Sequence, residues 1–196
     1  MSDNKKNTKY SGEKAGEKEP INWKRELIEW IKIFVTAAAI ALFLNSCIIA
    51  NSVVPSGSME QTIMTGDRIV GSRLSYRFGS DPKRGDIVIF DHKSEPGKDK
   101  TRLVKRIIGL PGETVDIKGS HVYINGSETP LEEPYLPEAM DSDDYHFEVP
   151  EGCYLMLGDN RNHSADARRW SDPYVPEEEI LAKVMFRYFP GIKKIQ

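Results

Sequence analysis

Cysteine is scarce: Cys47 and Cys153 are the only two in 196 residues. That excludes a dense disulfide scaffold and any zinc site built from thiolates alone. One lies in an apolar run and the other in a strand-like stretch, so a bridge, which needs Cα atoms within about 7 Å, is not expected. A surplus of charge of either sign is also missing. Lys and Arg total 27 against 30 Asp and Glu, for a net charge of -3. A nucleic-acid partner is therefore not expected, because phosphate neutralisation draws on clustered basic residues. There is no repeat with a period of roughly 20–50 residues and no Gly-x-Ser-x-Gly elbow. No group of His, Cys and carboxylate residues has metal-ligand spacing, so neither a metal nor another cofactor is implied.

What is present is segregated along the chain. Up to about Glu19 apolar side chains are nearly absent and Lys5, Lys6, Lys9, Lys14 and Lys18 recur. Such a segment buries too little surface to offset its ordering entropy, so residues 1–29 read as a disordered tail. From Ile33 to Ala50 the chain reads IFVTAAAIALFLNSCIIA, 18 residues without a charge. With Trp30 and Ile31 this run predicts a single transmembrane helix over 30–50, since crossing ~30 Å of hydrocarbon takes about 20 residues. Trp23 and Trp30 suit an interface, and the basic flank predicts a cytoplasmic N-terminus with everything beyond about residue 51 outside. A cleaved secretory signal, a buried core helix and a lipoprotein site around Leu44-Asn45-Ser46-Cys47 are the competing readings of the run.

Residues 51–196 predict a mainly β, antiparallel domain. Short apolar runs end at turn residues: Ile69-Val70, Ile87-Val88-Ile89-Phe90, Leu103 to Ile108, Tyr154 to Leu157 and Val184 to Phe189. No long amphipathic helix separates them. Val122-Tyr123-Ile124 runs into Asn125-Gly126, which predicts a hairpin there.

Ser58 lies just beyond the apolar run, in Pro55-Ser56-Gly57-Ser58-Met59. A serine is a weak nucleophile without an adjacent base. His92, His121, His146 and His163 are scattered through polar stretches, so a Ser-His-Asp triad has no particular support. A neutral lysine also serves as a base, and burial lowers the lysine pKa. Lys105 stands out because it lies between Leu103-Val104 and Ile107-Ile108 within a strand. Alternation alone also allows Lys105 to be a solvated gatekeeper on an edge strand.

Five blocks occur in order: Pro55-Ser56-Gly57-Ser58-Met59, Gly66-Asp67, Arg84 to Val88, Val104 to Gly112, and Gly158 to Asp166. Together they resemble the successive sequence boxes of the type I signal peptidases, membrane-bound Ser/Lys endopeptidases. The short stretch between Gly112 and Gly152 resembles the compact, single-span Gram-positive type. The resemblance implies a catalytic pair of Ser58 as nucleophile and Lys105 as general base. It implies an oxyanion site from the Ser56 hydroxyl and the Ser58 backbone N–H, and it makes Ser164 the residue that hydrogen-bonds and aims Lys105. Asp166 and Arg168 would form a supporting ion pair, with Asp159 and Arg161 stabilising their loop. Val54, Met59, Ile63 and Val104 would line pockets for small side chains. The implied substrates are exported pre-proteins cut after a small-x-small motif, bound as an added strand at the surface of a lipid bilayer, with export machinery as a further partner. Gln61 stands where the family commonly has Pro, and Ala167 where it often has Ser, which leaves local rigidity open. A non-catalytic membrane-anchored β domain and a Ser/Lys peptidase with a narrow client are the rival readings.

Overall fold

The computed structural model describes residues 22–77 and 80–195. Part of the expected tail, residues 1–21, lies outside them. The chain divides into two compact units, residues 1–40 and 41–196.

Helix α1 spans Trp23–Phe43. Asn22 starts it, its carbonyl accepting from the N–H groups of Arg25 and Glu26, and Glu26 places a carboxylate in the positive first turn. None of its residues is buried, and Leu27, Ile28, Trp30, Ile31, Phe34 and Val35 are all more than half exposed. The expectation of a helix over 30–50 needs correcting. Among the described residues, no helix is long and apolar enough to cross a membrane. The charge-free part of α1, Ile33 to Phe43, is about 16 Å long at 1.5 Å per residue, and Lys24, Arg25, Glu26, Glu29 and Lys32 occupy the remainder. Beyond Phe43 the chain makes a π turn, Leu44–Ile48, and then strand β1, Ile49–Val53. Ile48, Ile49 and Val53 are β-branched and suit a pleated, half-buried strand better than a helix. β1 pairs with β2, Arg68–Ser72, across the full length of both.

The remaining strands are β3 (Ile87–His92), β4 (Thr101–Gly109), β5 (Thr114–Lys118), β6 (His121–Ile124), β7 (Tyr145–Glu148), β8 (Cys153–Leu157), β9 (Tyr174–Pro176), β10 (Ile180–Phe189) and β11 (Lys193–Lys194). They form two antiparallel sheets. The larger runs β1-β2-β10-β3-β4-β8-β9 with β11 against β10, and the smaller runs β6-β5-β7. The mainly β antiparallel architecture read from the strand spacing is the one observed.

β3 explains how the core is organised. Its run Ile87-Val88-Ile89-Phe90 is buried throughout, so both faces of the sheet are covered. Ile87 and Ile89 pack with Val54, Met59, Ile63, Ile69 and Val104 on one side. Val88 and Phe90 pack with Ile107, Leu155 and Leu157 on the other. β4 lies between β3 and β8 in the strand order, and Lys105 is only 2% exposed, so it is not a solvated gatekeeper.

The hairpin forms one turn earlier than expected. β5 and β6 are joined at Gly119-Ser120, both with positive φ (55° and 69°) as a two-residue reversal requires. Asn125 and Gly126 also take positive φ, but their turn leads out of β6 into an irregular stretch. Cys47 and Cys153 are free thiols.

Candidate active site

Ser58 sits in a single 3-10 turn, Gly57–Met59, entered from extended backbone at Ser56. Ser58 and Met59 turn inward, and the turn is pinned by the loop after β8. Asn160 N–H donates to Ser58 O (3.1 Å), Asn160 Nδ2 to Gly57 O (2.9 Å) and Asp159 N–H to Met59 Sδ (3.4 Å). This close approach needs a glycine at position 158, because a Cβ there would collide with Ser58 O and Ser164 Oγ. Gln61 has φ of 77°, which a proline, locked near −65°, could not adopt. The turn following Met59 is therefore built differently from one with Pro at 61.

β4 carries Lys105 opposite Val88 of β3. The side chain is 2% exposed, and its Nζ donates to Ser58 Oγ. Burial pushes the amine down from 10.5 to about 8. The carboxylates of Asp166 and Asp159 pull against that shift and the Arg168 guanidinium adds to it. A group poised near 8 exchanges protons readily close to neutral pH.

Ser56 Oγ lies 3.4 Å from Ser58 Oγ. Val54, Pro55, Ser56 and Ser58 face Arg102, Leu103, Val104 and Lys105 across a shallow cleft of about 10 Å³. Larger cavities, about 700 Å³ around Arg73 and Glu177 and about 490 Å³ around Lys183 and Lys194, contain no nucleophile paired with a base. Of the four residues proposed for the substrate pocket, Val54 and Val104 border this cleft and Met59 and Ile63 do not. Both are completely buried in the core beneath the turn, because the inward 3-10 turn directs Met59 into the packing between sheet and loop.

Asp166 and Arg168 pair through two contacts of 2.9 Å, Arg168 Nε to Oδ1 and Nη2 to Oδ2. Burial alone would raise the Asp166 carboxyl. Arg168, with help from the Gly158 N–H, overcomes it and holds the acid below the ordinary carboxylate range. Asp159 and Arg161 do not pair with each other, and each bonds to a different partner. Asp159 accepts a bidentate pair from Arg106, Nε at 2.8 Å and Nη2 at 2.7 Å, plus the Thr62 hydroxyl at 2.6 Å. Arg161 pairs with Glu133, and its Nε donates to Gly158 O at 3.0 Å.

Ser164 departs from its expected contact. It is fully buried, and its hydroxyl adds a weak pull on the Asp166 carboxylate. Yet Oγ has no partner at hydrogen-bond geometry, Lys105 included. Ser164 Oγ is turned against Gly158.

None of the four histidines bonds to Ser58 among the described residues. His92 is held by Glu179 and Asp172 O, His121 by Gly119 O and His146 by Asp116, while His163 is exposed. Sequence reasoning missed Arg106, Glu133, Tyr135, Asn160 and Arg102. Arg106 and Asn160 lie within the blocks Val104 to Gly112 and Gly158 to Asp166, while Glu133, Tyr135 and Arg102 left no local trace. Arg106 stacks on the Tyr135 ring at 3.8 Å, and Arg102 is clamped by Asp91 through two contacts of 2.9 Å at the mouth of the cleft.

The sequence profile of the family described as "Signal peptidase, peptidase S26" matches residues 27–189. A signal peptidase I from Leptolyngbya laminosa is 38% identical over 84% of this chain and 80% of its own. One from Bacillus licheniformis is 34% identical over 89% and 95%. A solved signal peptidase I from Enterococcus faecalis V583 is 33% identical, with a TM-score of 0.43 over 53% of this chain and 97% of that one.

Proposed function

The chain belongs to the signal peptidase family, peptidase S26, and from that premise we propose that Ser58 and Lys105 are the dyad with which it cuts its substrates. It is a serine endopeptidase that removes N-terminal signal peptides from exported pre-proteins. The observation that carries the assignment is the contact of Lys105 Nζ with Ser58 Oγ where water is nearly excluded.

The chemistry follows from that contact. A neutral Lys105 offers a lone pair to the Ser58 hydroxyl proton as Oγ attacks the scissile carbonyl. The carbonyl oxygen takes the displaced electron pair, and the Ser56 hydroxyl and Ser58 backbone N–H stabilise it. The tetrahedral species collapses, the C–N bond breaks, and the leaving amine takes the proton from Lys105. Water then attacks the acyl-enzyme with Lys105 again as base, which releases the carboxylate and restores Ser58. Asp166 and Arg168 fix the loop beside the base.

The shallow cleft between Val54 and Val104 supports a small-x-small cleavage motif, because it admits little beyond a methyl group. An extended substrate segment fits the outer half of β4. β8 pairs only with Arg106, Ile107 and Gly109, so among the described residues Thr101–Lys105 have no ladder partner on that side. The exposed apolar side chains of α1 support attachment to a lipid bilayer. Export machinery delivering the pre-proteins is the natural neighbour there.

The test is incubation of the purified full-length protein with a panel of pre-proteins, with each cut mapped by mass spectrometry. A single cut after a small-x-small motif that disappears in Ser58→Ala supports the assignment. Cleavage by Ser58→Ala, or none by the wild type, overturns it.

A further inference from the structure

The stretch from Ser127 to Asp144, between β6 and β7, contains no helix or strand, yet its middle is tied to the loop that holds Ser58. Glu133 receives both terminal nitrogens of Arg161, Nη1 at 2.9 Å to Oε2 and Nη2 to Oε1. The two side chains are 7% and 1% exposed. Tyr135 donates its hydroxyl to Glu133 Oε1 (2.6 Å) and lays its ring under Arg106. Asn162 Nδ2 donates to Glu138 Oε1 (2.8 Å) and to Ala139 O (3.1 Å), and Asp141 N–H donates to Asn162 Oδ1 (2.7 Å). Successive residues of an irregular segment thus grip Arg106, Arg161 and Asn162.

The grip leads to the nucleophile in two steps. Arg161, held by Glu133, donates through Nε to Gly158 O. Gly158 is pressed so closely against Ser58 O that no side chain fits between them, and the next residues, Asp159 and Asn160, bond to Met59 and Ser58. A buried ion pair by itself is weak evidence of a stabilising role, since apolar replacements often do as well. A bidentate pair does fix direction and distance, which is what a dyad sensitive to small displacements requires.

We propose that residues 133–141 form a strap that positions the catalytic turn, with Glu133 as a positioning residue acting through Arg161 and Gly158 on Ser58. The proposal rests on the reading of Ser58 as the nucleophile. It makes the strap part of the rate-setting geometry rather than of substrate binding.

Three full-length variants test it against a peptide that spans a signal-peptide cleavage site, with kcat, KM and thermal midpoint measured for each. Glu133→Gln leaves the Arg161 charge buried without its partner, so both the midpoint and kcat fall. The expected loss in kcat is about 10–100-fold, with KM within about twofold. Glu133→Asp keeps the charge and recovers part of kcat. The decisive variant is the apolar double, Glu133→Leu with Arg161→Met. It removes the orphan charge, so the midpoint returns toward wild type while kcat stays low, because the Nε bond to Gly158 is gone. If kcat recovers together with the midpoint, or all three variants turn over like the wild type well below their midpoints, the strap is structural only and the proposal fails. A wild-type enzyme that does not cut the peptide would instead overturn the Ser58 assignment, and the strap's role with it.

Discussion

Lys105 Nζ meets Ser58 Oγ although 47 residues separate them in the chain. One comes from a strand buried on both faces and the other from a one-turn helix packed over it. Neither element places both partners, and the proposed mechanism makes the two one unit. Ser58→Ala and Lys105→Ala should each abolish turnover, and the double variant should be no slower than either single one. Steady-state rates on one pre-protein check this. Additive losses would mean that the two residues act independently.

The same burial that prepares Lys105 costs stability. Its amine titrates near 8 when folded and at the ordinary 10.5 when unfolded. Below pH 8 both states are protonated, and the folded chain carries the full cost of the buried charge. Between about 8 and 10.5 the unfolded chain binds more proton, so stability rises with pH across that window. Lys105→Met should therefore be more stable than the wild type at pH 7, by at most about 3 kcal/mol. The gain should vanish above about pH 10.5. Urea titrations at the two pH values measure it.

Much of the fold was legible because the buried strands announce themselves. Ile87 to Phe90, Leu103 to Ile108 and Tyr154 to Leu157 are apolar runs closed by turn residues, and each is a strand. β1 was hidden, because Ile49 to Val53 extends an apolar run whose earlier part is helical, and composition does not mark where one becomes the other. The burial of Lys105 was equally invisible. Alternation gives the face of a strand but not its neighbours, and strand order is set by pairings far apart in sequence. The ion pairs show the same limit: Arg106 with Asp159 and Arg161 with Glu133 join residues 53 and 28 positions apart.

The Arg106–Asp159 pair is 3% and 0% exposed. Asp159→Asn leaves the guanidinium buried without its carboxylate, and losses of this kind run to about 3–5 kcal/mol. Denaturant unfolding should show that loss. A change under about 1 kcal/mol would mean that water reaches the pair.

Ser164→Ala separates stability from rate in the opposite sense. The buried Oγ has no hydrogen bond to lose, so the thermal midpoint should stay level or rise. If the hydroxyl aims Lys105 during turnover, kcat should fall by about tenfold, or about 1.4 kcal/mol, with KM unchanged. A kinetically silent variant would reduce Ser164 to a packing residue.

The neutral lysine is the centre of the account, and the pH dependence of kcat/KM on a signal-peptide-bearing substrate tests it most directly. This profile reports the base in the free enzyme. With Lys105 held near 8 by burial, activity should rise tenfold per pH unit on the acid side and level off above about pH 8. A limb centred near pH 6.5, the ordinary histidine range, would contradict the account by assigning the base to an imidazole.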